Sequence, residues 1–192
     1  LLCKRYLNFM NVANPALLKS NSIVLRELES SDVTELYVHW LNDPNINKYL
    51  ESRFILQDKH TVKNFVDNCR FSEFSFLFGM FLPENMKHIG NIKLGSINKH
   101  HKSAEVGLVI GDKSYWNKGF ASIVISMVTQ FAFNELKLTK LNAGCYESNI
   151  GSKKSFEKSG YQVEGFLRDQ VDSDNGREGI WNLGCINQNT TI

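Results

Sequence analysis

The chain has 192 residues, 42% of them hydrophobic, and a formal net charge of +2. That supplies enough apolar material for one sizeable core, so a single α/β domain is expected. The near-neutral balance gives no global signal for a polyelectrolyte partner such as nucleic acid, and no apolar run reaches the roughly 18–20 residues that span a bilayer.

Lys4, Arg5, Asn8, Asn11 and Asn14 interrupt the first twenty residues. They leave no continuous apolar core of a secretory leader, and residues 1–20 read as a loosely attached arm ahead of a domain over residues 21–188. Residues 22–28 alternate as a first strand. Ser30 or Ser31 is expected to cap a helix running to about Asn42, with Val33, Leu36, Tyr37, Trp40 and Leu41 on its apolar face, and Asp43-Pro44 stops it. A second helix is predicted over residues 58–70 with Val62, Phe65 and Val66 inward. The aromatic run at 74–82 is β-prone; Pro83-Glu84-Asn85 breaks it, residues 88–97 follow as hairpin partner, and residues 104–110 form the next strand.

The segment from about Lys118 to Leu136 is apolar on nearly every side, as a helix buried against a sheet would be. Residues 138–146 read as a central strand, and a short helix over residues 149–159 ends at Gly160, a C′ glycine. Two last strands, at 161–167 and 178–186, flank the polar turn Asp172-Ser173-Asp174-Asn175-Gly176. The order β-α-α-β-β-β-α-β-α-β-β predicts a mixed α/β fold, and 13 Phe residues predict an aromatic core.

Cys3, Cys69, Cys145 and Cys185 form no CxxC pair and have no metal-ligand spacing with the five histidines. They read as reduced structural thiols of a cytoplasmic protein, with no metal site. His100-His101 falls in a polar turn and reads as surface. The lysines at 137, 140, 153, 154 and 158 form either a local phosphate-binding patch or a solvated face.

The most informative stretch is residues 104–130. A strand ends at Leu108-Val109-Ile110, a turn follows as Trp116-Asn117-Lys118-Gly119-Phe120-Ala121, and a helix starts at once. Such a junction points free N–H groups into one concavity at the positive end of a helix dipole, and so binds phosphate. Gly119 permits close approach, Asn117 tolerates positive φ, and Lys118 adds a cation. The site suits a cofactor carrying pyrophosphate.

Three segments in this order, Glu105-Val106-Gly107 with the turn at 116–121, Asn149-Ile150-Gly151-Ser152, and Phe156-Glu157-Lys158-Ser159-Gly160-Tyr161, resemble the GNAT N-acetyltransferase superfamily. The likeness covers residues 22–186 and is nearest the branch with ribosomal-protein N-terminal, polyamine and amino-sugar acetyltransferases. Trp116 stands where the superfamily usually has Gln or Arg but suits this branch, as Ala121 does, and Asn117 stands where the branch often has glycine. The resemblance implies a single-domain fold with a mostly antiparallel twisted sheet of about seven strands, splayed at the cofactor. It implies acetyl-CoA as donor, held by Leu108, Val109, Ile110, Trp116, Asn117, Lys118, Gly119, Phe120, Ala121, Ser122, Asn149, Ser152 and Ser155. Asn149 would hold the pantetheine, cap its own helix, or both.

Acetyl transfer to an amine requires removal of an ammonium proton, fixed donors for the carbonyl oxygen, and a proton for the departing thiolate. Glu105 is the candidate base, with Glu51 and Asp169 as rivals. A backbone N–H near Val109 or Ile110 would serve the oxygen. Where many relatives have a tyrosine donor this chain has Phe156, which leaves Ser152 as candidate donor and Tyr146 as alternative. Tyr49, Glu51, Arg53 and Asp169 are the expected acceptor contacts; Trp40 and Trp181 line a pocket or pack in the core. The acceptor is a small-molecule amine or a protein N-terminus, the protein a monomer or homodimer without nucleic-acid or membrane partners. The competing reading is a non-catalytic acyl-CoA-binding regulatory domain.

Overall fold

A computed structural model describes residues 17–174 and 176–188. Eight strands form one sheet in the order β1-β2-β3-β4-β5-β6-β8-β7. They are β1 (Leu17–Lys19), β2 (Val24–Glu27), β3 (Phe76–Phe81), β4 (His88–Asn98), β5 (Ser103–Ile110), β6 (Lys140–Tyr146), β7 (Gln162–Ser173) and β8 (Gly176–Ile186). All pairings are antiparallel except β5 with β6. The helices are α1 (Glu35–Asn42), α2 (Pro44–Asn47), α3 (Lys59–Phe71), α4 (Phe120–Asn134) and α5 (Ile150–Lys158). None is long and apolar enough to cross a membrane.

The count is eight strands rather than about seven because Leu17–Lys19 pair with β2. Three residues are too few to show alternation in the sequence. Residues 1–16 of the expected arm, and Cys3 with them, lie outside the described residues, as does Asn175 of the polar turn. The β7–β8 hairpin is longer than its sequence suggested, because a shift of register between Leu167 and Val171 carries β7 on to Ser173.

Alternation along the strands gives the sheet two apolar faces, and each carries a core. On one, Phe76, Phe78, Ile92, Leu94 and Val106 pack against Val124, Ile125, Val128, Phe131 and Ala132 of α4 and Phe156 of α5. Phe131 meets the rings of Phe76 and Phe78 edge-on at 5.3 and 5.7 Å, an arrangement that adds to simple burial. The other face buries Val24, Leu77 and Phe81 under Tyr37, Val38 and Trp40 of α1 and Val62, Val66 and Cys69 of α3.

The start of α1 differs from expectation. Residues Ser30–Asp32 form a separate short 3₁₀ turn, and Thr34 caps α1 by accepting from the Tyr37 N–H at 3.2 Å. Arg26 grips the Asp32 carboxylate at 2.6 and 2.9 Å, and Asp32 also accepts from the Glu29 N–H at 2.8 Å. That clamp turns the chain before the helix can begin. With the helix starting at Glu35, Val38 faces the core and Leu36 faces outward, 51% exposed. Phe65 of α3 is likewise half exposed rather than inward, under the Lys93 ammonium at 5.1 Å.

Candidate active site

β5 and β6 pair only through Ser103–Lys140, Ala104–Leu141 and Glu105–Asn142. Beyond these residues β5 stays registered with β4 as far as Ile110, and β6 with β8 as far as Tyr146. Each arm keeps its outer partner, so the inner edges diverge as a fork. Every second residue of an arm turns its N–H and C=O away from that outer partner, which leaves main-chain groups of 106–110 facing the gap. A cleft of about 580 Å³ occupies the gap on the α4–α5 side.

The turn between β5 and α4 closes one end of this cleft. Asp112 accepts from the Ser114 N–H at 2.9 Å, and the Trp116 indole N–H donates to the Ile110 carbonyl at 2.8 Å. Asn117 at φ +58° and Gly119 at φ +81° are both left-handed, so the amides between them curve inward as an anion nest. Gly119 is the N-cap of α4 and has no side chain to satisfy the first turn. The amides of residues 117–122 have no hydrogen-bond partner among the described residues. Here several free donors meet a helix's positive end, so the residues present fit a pyrophosphate group. Lys118 points elsewhere, with its ammonium 5.2 Å from the Tyr115 ring.

Across the fork, α5 presents its own N-terminus. The Asn149 side chain caps it, Oδ1 accepting from the Ser152 N–H at 3.2 Å. Ser152 Oγ also accepts from the buried Cys145 thiol at 3.4 Å, and burial raises that thiol's pKa. Ser155 Oγ donates back to the Gly151 carbonyl at 2.8 Å. Leu108, Val109, Ile110, Trp116, Asn117, Gly119, Phe120, Ala121, Asn149, Ser152 and Ser155 all line the one cleft, whereas Lys118 and Ser122 are not among its lining side chains. Phe156 is 1% exposed and packs against Tyr161 at 5.0 Å.

Tyr146 ends β6 beside the segment 49–53. Its hydroxyl donates to Glu51 Oε1 and accepts from Arg53 Nη1 at 2.8 Å. Arg53 Nη2 continues to the Asp172 carbonyl at 2.6 Å, and the Tyr49 ring meets Tyr146 edge-on at 5.7 Å. Burial, then the Glu51 carboxylate, raises the Tyr146 pKa. The structure therefore brings Tyr49, Glu51, Arg53 and Tyr146 together.

A second cleft of about 940 Å³ lies on the sheet's other face, walled by Tyr37, Leu41, Phe65 and Leu77. It meets the first through the fork: Leu50, Glu51, Gly107, Val109, Gly144 and Ile180 line both. Glu105 belongs to this second cleft alone, is exposed, and accepts from the Ser96 hydroxyl at 3.1 Å. Asp169 lines neither cleft; its carbonyl accepts from Arg177 Nε at 3.0 Å.

The family model described as "Acetyltransferase (GNAT) domain" matches residues 22–162. The chain belongs to this family. Among curated GNAT-like relatives, the probable N-acetyltransferase YjcK of Bacillus subtilis is 29% identical over 175 residues, covering 86% of this chain and 92% of the relative. The crystal structure of spermidine N-acetyltransferase from Vibrio cholerae, in complex with CoA and spermine, superposes with a TM-score of 0.78 at 21% identity, over 87% of this chain and 96% of that one. RimL, a ribosomal L7/L12 alpha-N-protein acetyltransferase in complex with coenzyme A, gives 0.80 at 14% identity, over 88% and 97%. At those identities the solved structures speak for the GNAT fold alone.

Reading the sequence missed several polar side chains of the second cleft, namely Asn91, Lys93, Asn142, Glu164 and Asn182. They come from β4, β6, β7 and β8, and only the register between those strands gathers them on one face. Trp40 is buried core at 3% exposure, and Trp181 packs on Phe166 at 4.4 Å. Lys153 and Lys140 are ion-paired with Glu157 and Glu164, so two of the five clustered lysines have their charge answered.

Proposed function

We propose that this chain moves an acetyl group from acetyl-CoA to an amine by direct attack, both substrates being bound together. The observation that carries it is the fork: unpaired main-chain edges and a phosphate nest on one face open through the sheet into an acid-lined cleft on the other. Acetyl-CoA, when bound, supplies an activated acyl thioester. The amides of residues 117–121 take its pyrophosphate, and the inner edges of β5 and β6 take the pantetheine arm as an added strand. A backbone N–H at Val109 or Ile110 faces the carbonyl oxygen on which charge gathers.

The amine enters from the second cleft as an ammonium ion. Glu51 and Glu105 attract it, while Glu164 is already paired with Lys140. Of these only Glu51 lines both clefts. Tyr146 holds its Oε1, and Oε2 has no partner among the described residues, so Oε2 receives the ammonium proton. Glu105 sits four residues before Val109 on β5, about 13 Å along an extended strand, and acts by drawing the cation in. Ser152 gives its proton to the leaving thiolate and takes in exchange the second proton that the nitrogen sheds as the amide forms. The acceptor is a protein N-terminus, a polyamine or an amino sugar, and the activities of the two structural neighbours, RimL and spermidine N-acetyltransferase, support the first two.

The test is a screen of amines for release of CoA thiol, run on the wild type and on Glu51→Gln and Glu105→Gln. Glu51→Gln is expected to lower kcat/KM about 10²- to 10³-fold, the range of a lost general base. Glu105→Gln should chiefly raise KM for the amine. The reverse ranking would return the proton to Glu105. Tight acetyl-CoA binding with no amine acetylated would favour the acyl-CoA-binding regulatory domain instead.

A further inference from the structure

The second cleft contains a polar group that the protein itself leaves unsatisfied. Asn91 of β4 is 4% exposed and lines the cleft with Tyr37, Leu41, Leu77 and Val109. Its Nδ2 is buried with no hydrogen-bond partner among the described residues. A buried donor left without a partner carries an uncompensated desolvation penalty, and buried amides are rarely left so. A leucine, with the same branched skeleton of side-chain heavy atoms, would carry no such penalty.

The chain itself fixes which way this amide points. His88 Nε2 lies 3.0 Å from the Gly90 carbonyl and 2.8 Å from Asn91 Oδ1. A carbonyl can only accept, so Nε2 carries the hydrogen, and the Asn91 atom facing it must be the acceptor oxygen. The NH₂ group is thereby turned away from His88. In register Asn91 pairs with Val109, and cross-strand partners put their side chains on the same face about 5 Å apart. Val109 lines both clefts. Asn91 thus stands beside Val109, next to the passage through the sheet.

Resting on the acetyl-transfer reading, we propose that Asn91 Nδ2 is a specificity-determining donor for an oxygen on the carbon adjacent to the amine-bearing carbon. The preferred acceptor is then an amine of the type N–C–C–O. The carboxylates around the cleft attract any ammonium ion and cannot make this distinction. A site built around a hydrogen-bond donor discriminates against a ligand lacking the matching acceptor, because the donor stays unpaired. Polyamines contain only nitrogen and methylene groups and leave Nδ2 unpaired. A 2-amino sugar offers a hydroxyl at the required position, and a peptide N-terminus offers a carbonyl.

The experiment compares kcat/KM, expressed per unprotonated amine because a neighbouring oxygen lowers amine basicity, for paired acceptors on the full chain: glucosamine against cyclohexylamine, trialanine against 2-aminobutane, with spermidine alongside. The wild type is expected to favour the oxygen-bearing member of at least one pair about tenfold or more, and the pair that shows it identifies the source. In Asn91→Leu that ratio should fall to within about twofold, while the acetyl-CoA Kd from calorimetry stays put. Asn91→Asp, which keeps an acceptor for His88 but no donor, should lose the preference too. A wild type that uses oxygen-free amines or spermidine equally well overturns the assignment even if neither variant folds, and so does a ratio that survives both substitutions. If acetyl-CoA binds but no amine is acetylated, the acetyl-transfer reading has failed and takes this one with it.

Discussion

The Tyr146 hydroxyl is engaged on both sides, giving its hydrogen to Glu51 and accepting from Arg53. Its raised pKa further weakens it as an acid. Ser152 differs: its Oγ accepts the Cys145 thiol hydrogen and keeps its own hydrogen to give. Ser152→Ala should therefore slow turnover about tenfold or more, with acetyl-CoA affinity within two- to threefold by calorimetry, because the Asn149 cap uses the residue's backbone and not its side chain. An unchanged rate would transfer the role to Tyr146 or to solvent. At this scale the sequence was readable where one residue's chemistry is local. The missing hydroxyl at Phe156, the left-handed Asn117 and the Asn149 cap are of that kind. It was unreadable where a partner far along the chain decides. Thr34 rather than Ser30 or Ser31 caps α1 because Arg26 holds Asp32, and Asn91 matters only because His88 and Val109 lie beside it.

Elements were legible in proportion to their periodicity. The aromatic strand, its hairpin partner and the all-round apolar helix match β3, β4 and α4 to within a few residues, and so do β5, β6 and α5. β1 and the far half of β7 were not legible, since edge pairing and a register shift leave no hydrophobic pattern to detect. The junction of β5 with α4 is where element geometry becomes chemistry. A side chain at Gly119 would meet no atom within 4 Å, but it would have to adopt φ +81°. Left-handed backbone disfavours an ordinary residue by about 1–2 kcal/mol. Gly119→Glu is accordingly expected to fold, with circular dichroism preserved and Tm lowered by several degrees. The new carboxylate would sit where phosphate belongs, and acetyl-CoA affinity should drop more than 100-fold in calorimetry. Unaltered affinity would show that the nucleotide lies elsewhere.

Two cores on opposite faces of one sheet stabilise the molecule as a whole, and a titratable group is enclosed in one of them. His88 stacks on Phe81 at 4.9 Å and meets Trp40 and Tyr37 edge-on at 5.1 and 5.6 Å. Burial lowers its pKa from the ordinary 6.5. Below about pH 6.5 the unfolded chain binds a proton that the folded imidazole refuses. Its contribution to stability is thus complete above that pH and is lost as pH falls towards the folded value, with a slope of at most about 1.4 kcal/mol per pH unit from this one group. Urea titrations between pH 7.5 and 5.5 should show that slope in the wild type and a shallower one in His88→Gln. Equal slopes would place the sensitivity in the carboxylates.

The fork gives the protein two separate doors. In the proposed reaction nucleotide and amine approach from opposite sides and meet where the strands part, so neither has to leave for the other to arrive. Plots of initial velocity should intersect rather than run parallel, and spent CoA should compete with fresh donor without competing with the amine.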